Sequence, residues 1–404
     1  MADKMFVSLM KETYNNSIRF FNDNAESFSD NLNNYAIIPG FCDVHVHFRE
    51  PGFVYKENIQ SGISAAVRGG YTAVCTMPNL NPVPDTLENI SVQLDAINKV
   101  SLIPVYPYAS ITTGQKGEQL SELLVSGYNA VGYSDDGKGV QSEQLMLMAM
   151  QKAKEHDKII VAHCEDESLL NGGYIHKGEY ATKNGHLGIS SESEYSQLAR
   201  DVELIKRTGC KYHVCHISTK ESVQIIRDAK KRGLDITCET APHYLILCDE
   251  DIKESGNYKM NPPLRSKVDR EALIDGIKDG TIDIIATDHA PHSLEEKSKG
   301  LKGSLFGIVG LETAFPALYT NLVKTNVISL QRLIELMCIN PRKRFNIKSN
   351  IGFSVWNLEE EFTVDPNAFH SKGKSTPFEG MKFLGVNKLT VYGDRIVYKS
   401  KGDV

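Results

Sequence analysis

From residue 37 onward the chain alternates between two textures. One is a short, apolar, β-rich run that ends in polar residues. The other is a longer segment with apolar positions at helical spacing. The short runs are AIIPGFCDVHVHF (36–48), YTAVCTMPN (71–79), LIPVYPYAS (102–110), AVGYSDDG (130–137), KIIVAHCED (158–166), KYHVCHIST (211–219), DITCETAPHYL (235–245) and TIDIIATDHAPH (281–292). The spacing predicts helices near 57–69, 85–99, 117–126, 142–156, 191–208, 220–232 and 268–279, and helical text from 309 to 338. Near-continuous apolar strands alternating with helices predict an α/β fold whose parallel sheet is covered by helices. Eight such units over 36–350 fit a (β/α)8 TIM-type barrel better than an open sheet, and no GxGxxG follows the first strand. The two ends differ from the middle: 1–35 is rich in Asn and Ser, and 351–404 reads as short strands and turns. Together they predict a small β domain built from the N- and C-terminal segments. The segments 167–190 and 293–308 are long and rich in Gly, Ser and charge, the character of binding loops or lids.

Polar residues inside apolar strands need a reason. Alternate residues of a strand share a face, so Asp43, His45, His47 and Arg49 point one way. Two imidazoles so placed can take adjacent positions on one metal ion. An HxH pair alone is weak evidence, but the placement recurs. Asp135 and Asp136 follow the fourth run, His163 ends the fifth, His216 the sixth and Asp288 the eighth. Four histidines with two carboxylates suit two divalent ions that share a bridging carboxylate. His156, His176, His186 and His370 lie in polar or helical text and are expected at the surface. His213 and His289 adjoin ligand-bearing positions and are expected to pack or to support them. His243, on the seventh run, has either a supporting or a pocket role.

Composition narrows the class. The formal net charge is −6, so no overall basic field invites nucleic acid or an anionic membrane. A local Arg can still take an anionic substrate. No apolar run reaches 18 residues, and the N-terminal stretch MADKMFVSLMKETYNN is too short in apolar residues for a secretory signal. The eight cysteines are scattered without a CxxC pair, as expected of reduced core cysteines in a cytoplasmic protein.

DVHVHFREPG (43–52), TMPN (76–79), YSDDG (133–137), His163 of AHCED, HIST (216–219), KMNPPLR (259–265) and TDHAPH (287–292) resemble, in order, the motifs of the dihydroorotases of the amidohydrolase superfamily. The run GLETAFP (310–316) and the ending 371–398 are also similar to that family, whereas TAPHYL in the seventh run is closer to its allantoinase and hydantoinase relatives. The resemblance implies a zinc enzyme of pyrimidine (UMP) biosynthesis, with two Zn2+ per chain, that reversibly cyclises N-carbamoyl-L-aspartate to (S)-dihydroorotate. It implies that His45, His47 and Asp288 hold one zinc and that His163 and His216 hold the other. Many superfamily members bridge the metals with a carboxylated lysine; YSDDG resembles the subgroup that uses aspartate, with Asp136 as the aligned residue and Asp135 as the alternative. It further implies that Arg49, Asn79 and His292 hold the substrate carboxylate, that Asn261 recognises the ring, and that Asp288 is general acid and base beside a hydroxide held by both metals. A planar guanidinium suits a carboxylate better than an ammonium does. Cobalt or manganese would bind such ligands as well. A homodimer, or a complex with aspartate transcarbamoylase, is compatible with the family. Other cyclic-amide hydrolases commonly carry the bridging lysine, and catalytically silent barrels that partner aspartate transcarbamoylase typically lose metal ligands.

Overall fold

The computed structural model describes residues 34–100 and 102–400. The part of the expected N-terminal β segment before residue 34 lies outside the described residues. The strands are β1 (Tyr35–Pro39), β2 (Phe41–Val46), β3 (Tyr71–Thr76), β4 (Val105–Pro107), β5 (Ile159–Ala162), β6 (Ile175–His176), β7 (Gly188–Ile189), β8 (Lys211–Val214), β9 (Ile236–Thr240), β10 (Ile284–Ile285), β11 (Phe353–Thr363), β12 (Lys382–Tyr392) and β13 (Arg395–Lys399).

The first apolar run, expected as one strand over 36–48, is two strands in two different sheets. β1 pairs antiparallel with β11, and β2 pairs parallel with β3. Gly40 lies between them, where a Cβ would come within 2.5 Å of the Thr72 side chain and the Ile351 carbonyl. Only glycine lets the chain pass that point.

The parallel strands form an α/β core. β2, β3 and β4 make one sheet, and β5, β8, β9 and β10 make another. Single-residue parallel bridges link Ala109 to Tyr133, Tyr133 to Ile160, and Val46 to His289. The fourth run, expected as a strand over 130–137, is reduced to the bridging residue Tyr133. Its chain then turns, with Asp136 N–H donating to Ser134 Oγ at 3.1 Å and Asp135 accepting from Ile111 and Thr112. Alternate buried residues of β5, Ile159 and Val161, share a cluster with Cys215, Ile284 and Ala286, and the same alternation leads on to His163.

The helices Ile59–Arg68, Leu87–Val100, Glu143–Glu155, Glu192–Thr208, Lys220–Lys231 and Lys267–Asp279 fall where the periodicity places them. Ser142, Thr219 and Ser266 accept the first-turn N–H groups that a helix leaves unpaired. Gly209 and Gly280 close their helices at φ 65° and 84°, a conformation costly for other residues. The text at 309–338 is not one helix. It breaks into Ala314–Leu318, a wider π turn at Tyr319–Val323, and Leu330–Ile334, because Asn326 turns left-handed at φ 60° and Ser329 caps a new start. Among the described residues no helix is long and apolar enough to cross a membrane. All eight cysteines are free and buried.

β1, β11, β12 and β13 form an antiparallel sheet in that order. It is joined to the α/β core through Trp356 of β11, the only tryptophan of the chain, which is 1% exposed. Its ring lies 4.4 Å from Phe315 and 6.3 Å from Phe41 of β2, and its Nε1 donates to Ser354 Oγ at 2.7 Å. Trp356→Ala should cost about 3–5 kcal/mol by leaving a cavity and lost contacts. Urea unfolding would measure it, and a loss below about 1 kcal/mol would mean that this ring does not hold the two parts together.

Candidate active site

The polar residues that end the parallel strands converge. Asp136 stands at the centre: its Oδ1 lies 3.4 Å from His45 Nε2, 3.4 Å from His216 Nε2 and 3.7 Å from His163 Nδ1, and its Oδ2 lies 3.4 Å from His47 Nε2. Asp288 Oδ1 is 3.1 Å from His47 Nε2 and 3.4 Å from His45 Nε2. His163 Nδ1 and His216 Nε2 are 3.0 Å apart. Most of these spacings are long for hydrogen bonds. Ligand atoms about 2.0–2.1 Å from one tetrahedral ion lie about 3.3–3.4 Å from each other. His45 Nε2 and Asp136 Oδ1 are buried with no hydrogen-bond partner. Both observations fit a metal: two ligand groups, His45–His47–Asp288 and His45–Asp136–His216, have all their donor atoms within 4.8 Å of one another. Asp135 faces away. It accepts from Ile111 N–H at 2.8 Å, from Thr112 N–H at 3.1 Å and from the Thr112 hydroxyl. The choice between the two adjacent aspartates therefore falls on Asp136.

The electrostatics match. Burial opposes protonation of His45, but Asp136 and Glu239 outweigh it and hold the ring well above its ordinary value. His163 is raised to about 10 in the same way, burial being outweighed by Asp136 and Glu165. Burial also disfavours the charged forms of Asp136 and Asp288, yet His45 and its neighbours keep both below the ordinary carboxylate range. A metal takes neutral imidazole and ionised carboxylate, so metal binding at this cluster would release protons.

The site is held under strain. Arg49, His216 and Asp288 adopt left-handed φ values of 59°, 27° and 49°. Such non-glycine geometry costs ~1–3 kcal/mol and persists only where surroundings impose it. The Asp43 carboxylate accepts from Thr287 N–H at 3.1 Å, just before Asp288. After His216, Glu194 accepts from the N–H groups of Ser218 at 3.0 Å and Thr219 at 3.1 Å.

Two buried carboxylates that support the cluster were not singled out by sequence reasoning. Glu239 of β9 lies 2.5 Å from His45 Nδ1 and, through its second oxygen, 3.1 Å from His213 Nε2. Its signal was a charged residue inside the buried run DITCET. Glu165 accepts from Asn261 Nδ2 at 3.0 Å and lies 3.5 Å from His163 Nε2. An ionised carboxylate only accepts, so it fixes the Asn261 amide with Oδ1, which is buried and unpartnered, as the free acceptor.

A pocket of about 200 Å³ opens over this cluster, lined by His47, Arg49, Asn79, Asp136, Asn261 and Asp288, with His292, Phe306 and Gly307 on one wall. Arg49 is 8% exposed, and its Nε donates to the Pro291 carbonyl at 3.2 Å. Burial lowers it only to about 10, so it stays cationic at neutral pH. Asn79 Oδ1 is 2.8 Å from His47 Nδ1, so it orients that ring besides lining the pocket. Burial and the Arg49 and Lys56 cations push His292 down to about 3, and its neutral ring donates from Nε2 to the Phe306 carbonyl at 2.7 Å. The segment 293–308 supplies Phe306 and Gly307, whereas no residue of 167–190 lines the pocket. His176, expected at the surface, is buried, with Nδ1 3.4 Å from Arg265 Nη1. His289 turns away from the cluster, and its Nδ1 accepts from Gly310 N–H at 3.2 Å. His243 is 2% exposed, is packed 4.1 Å from the Tyr244 ring, and does not line the pocket.

This arrangement has relatives. A family described as dihydro-orotase-like matches residues 35–222. A dihydroorotase of Fusobacterium nucleatum is 48% identical over 400 residues, covering 96% of this chain and 94% of that one. The chain belongs to the dihydroorotase family. A dihydroorotase of Geobacillus thermodenitrificans is 50% identical over 390 residues, 94% of this chain and 91% of that one. Among solved structures, the L-hydantoinase (dihydropyrimidinase) of Arthrobacter aurescens superposes with a TM-score of 0.81 at 25% identity, covering 91% of this chain and 86% of that one. In this family member, Glu239→Gln should weaken metal affinity by ~10–100-fold, because the Nδ1–H of His45 loses its carboxylate partner. Competition with a chelator, followed by metal analysis, would read it, and unchanged affinity would remove Glu239 from the site.

Proposed function

We propose that this chain is a dihydroorotase, which interconverts N-carbamoyl-L-aspartate and (S)-dihydroorotate plus water in UMP biosynthesis. The observation that carries this reading is the convergence of four histidines, Asp136 and Asp288 beneath a small pocket whose one buried arginine, Arg49, faces them. The reading includes a closed (β/α)8 barrel over 36–350 and a small β domain from 1–35 and 351–404. The bridges at Tyr133 and between Val46 and His289 support closure.

In this reading His45, His47 and Asp288 would hold one Zn2+ and His163 and His216 a second, with Asp136 as a further ligand available to either. Bound there, divalent cations supply a Lewis acid for the ring carbonyl and make a water acidic enough to act as nucleophile near neutral pH. The chain's own residues do the rest. Arg49 pairs its guanidinium with the carboxylate that takes no part in the reaction, aided by Asn79 and His292. Asn261 Oδ1 accepts from a ring N–H, its orientation set by Glu165. Held so, the reacting carbonyl loses its freedom over the cluster. Asp288, ionised and at the pocket floor, takes a proton from the attacking water and delivers it to the ring nitrogen as the C–N bond breaks. In the biosynthetic direction the same proton returns to the departing hydroxyl.

The reading includes a cytoplasmic location and a small molecule as partner, with a homodimer or an aspartate transcarbamoylase complex as the assemblies to look for. Asp288→Asn should retain most bound metal and lower kcat by ~10²–10⁴-fold; full activity with metal bound would remove Asp288 from proton transfer. Arg49→Lys should raise KM for dihydroorotate about tenfold or more while leaving metal content unchanged, since the planar fork is lost. An unchanged KM would place the carboxylate elsewhere. The direct test is turnover of dihydroorotate by metal-analysed protein, with allantoin and dihydrouracil as controls. Turnover of either control alone would replace the proposal with another cyclic-amide hydrolase.

A further inference from the structure

The chemistry above leaves Lys297 unused, yet this lysine is only 5% exposed. Burial and the Lys259 cation push this amine down to about 7, but three main-chain carbonyls accept from its Nζ and favour the charged form: Gly307 at 2.7 Å, Leu305 at 2.8 Å and Lys259 at 2.9 Å. An ammonium has three N–H donors, so all of them are used. The carbonyls come from two separate walls of the pocket. Leu305 and Gly307 flank Phe306 in the segment that returns over the site, and Gly307 itself lines the pocket. Lys259 precedes Asn261, another lining residue, by two positions in the adjoining wall. The Lys259 carbonyl also accepts from Gly307 N–H at 3.0 Å, so the two walls meet at this point.

Neighbouring groups brace the same junction. Lys259 Nζ lies 4.6 Å from the Phe306 ring centroid and donates to the Lys302 carbonyl at 2.9 Å. Ser304 Oγ donates to the carbonyl of Lys297 at 2.9 Å. Leu305 N–H donates to the Glu296 carbonyl at 3.1 Å. A lysine stem is long and apolar, and its head alone among neutral or basic alternatives of that shape offers three spread donors. Methionine would fill the stem's space and leave the three carbonyls, two of them in buried bonds, without this donor. The cheapest way to hydrate them is to let the 293–308 segment swing outward.

We propose that Lys297 is a positioning residue: its ammonium clamps the Phe306–Gly307 wall to the Asn261 wall and so sets substrate affinity without touching substrate. The substrate half of this inference rests on the dihydroorotase reading; the clamp itself rests on the hydrogen bonds alone. The test uses the metal-loaded full chain as wild type, Lys297→Met and Lys297→Arg. Steady-state kinetics with dihydroorotate are read beside hydrogen exchange at the amides of 305–308 without substrate.

Lys297→Met should raise KM about tenfold or more with kcat held within about threefold. Exchange at 305–308 should quicken by about tenfold, while bound metal stays unchanged. Lys297→Arg, which keeps donors at the head, should recover KM to within about threefold of wild type. A wild-type KM in Lys297→Met, or kcat and metal content falling together, overturns the proposal. Should Lys297→Met not fold, wild-type exchange decides: amides at 305–308 protected before substrate is added support the clamp, and exchange as fast as a free loop overturns it. A wild type that is inert on dihydroorotate but keeps the exchange contrast rejects the substrate reading and supports the clamp.

Discussion

Four imidazoles and two carboxylates share a buried space at the floor of the pocket, largely withdrawn from bulk solvent. Isolated buried charge is expensive, so such a cluster is stable only if its charges compensate one another. Asp136 is the centre of that compensation, with one oxygen toward His45, His163 and His216 and the other toward His47. The spacings suit ligands around cations better than they suit direct hydrogen bonds. The rest of the molecule can be understood as what is required to hold these six side chains at those spacings.

Holding them takes a second set of buried carboxylates. Glu239 fixes His45 and His213 from behind, Asp43 fixes the backbone before Asp288, and Glu194 fixes the backbone after His216. The last two lie where the chain adopts left-handed geometry at a non-glycine residue. The strain is local, and the restraints come from other elements, so ligand positions depend on the packing of strands and helices far apart in sequence. The pocket above the cluster follows the same logic with opposite charge. Arg49 and Lys56 crowd His292 and keep it neutral, and Lys297 ties two walls through carbonyls.

Much of this was legible in the chain. The alternation of apolar strands with helices placed six helices to within a few residues, and polar residues at the ends of apolar runs marked His45, His47, His163, His216 and Asp288. These features are local: strand and helix periodicities, and the cost of a polar side chain in an apolar strand, are visible without a partner. The misreadings have physical causes. The run 36–48 looks like one strand because glycine is silent in a hydropathy pattern, and only the close approach of Thr72 and Ile351 makes Gly40 a crossing between sheets. His176 sits in polar text yet is buried beside Arg265, a contact that no local pattern encodes.

What the sequence by itself determined is the inventory: which residue types stand at the strand ends, and in what order. What only the tertiary structure decided is direction and partnership. Asp135 and Asp136 are chemically identical neighbours, and the one that faces the imidazoles is chosen by Ile111 and Thr112, whose N–H groups capture the other. Asn79 gains its role from a histidine that follows another strand, Glu165 from Asn261 far along the chain, and Lys297 from carbonyls on two separate segments. Hydrogen bonds are short and directional, so their partners are set by where the chain returns in space, which one-dimensional periodicity does not contain.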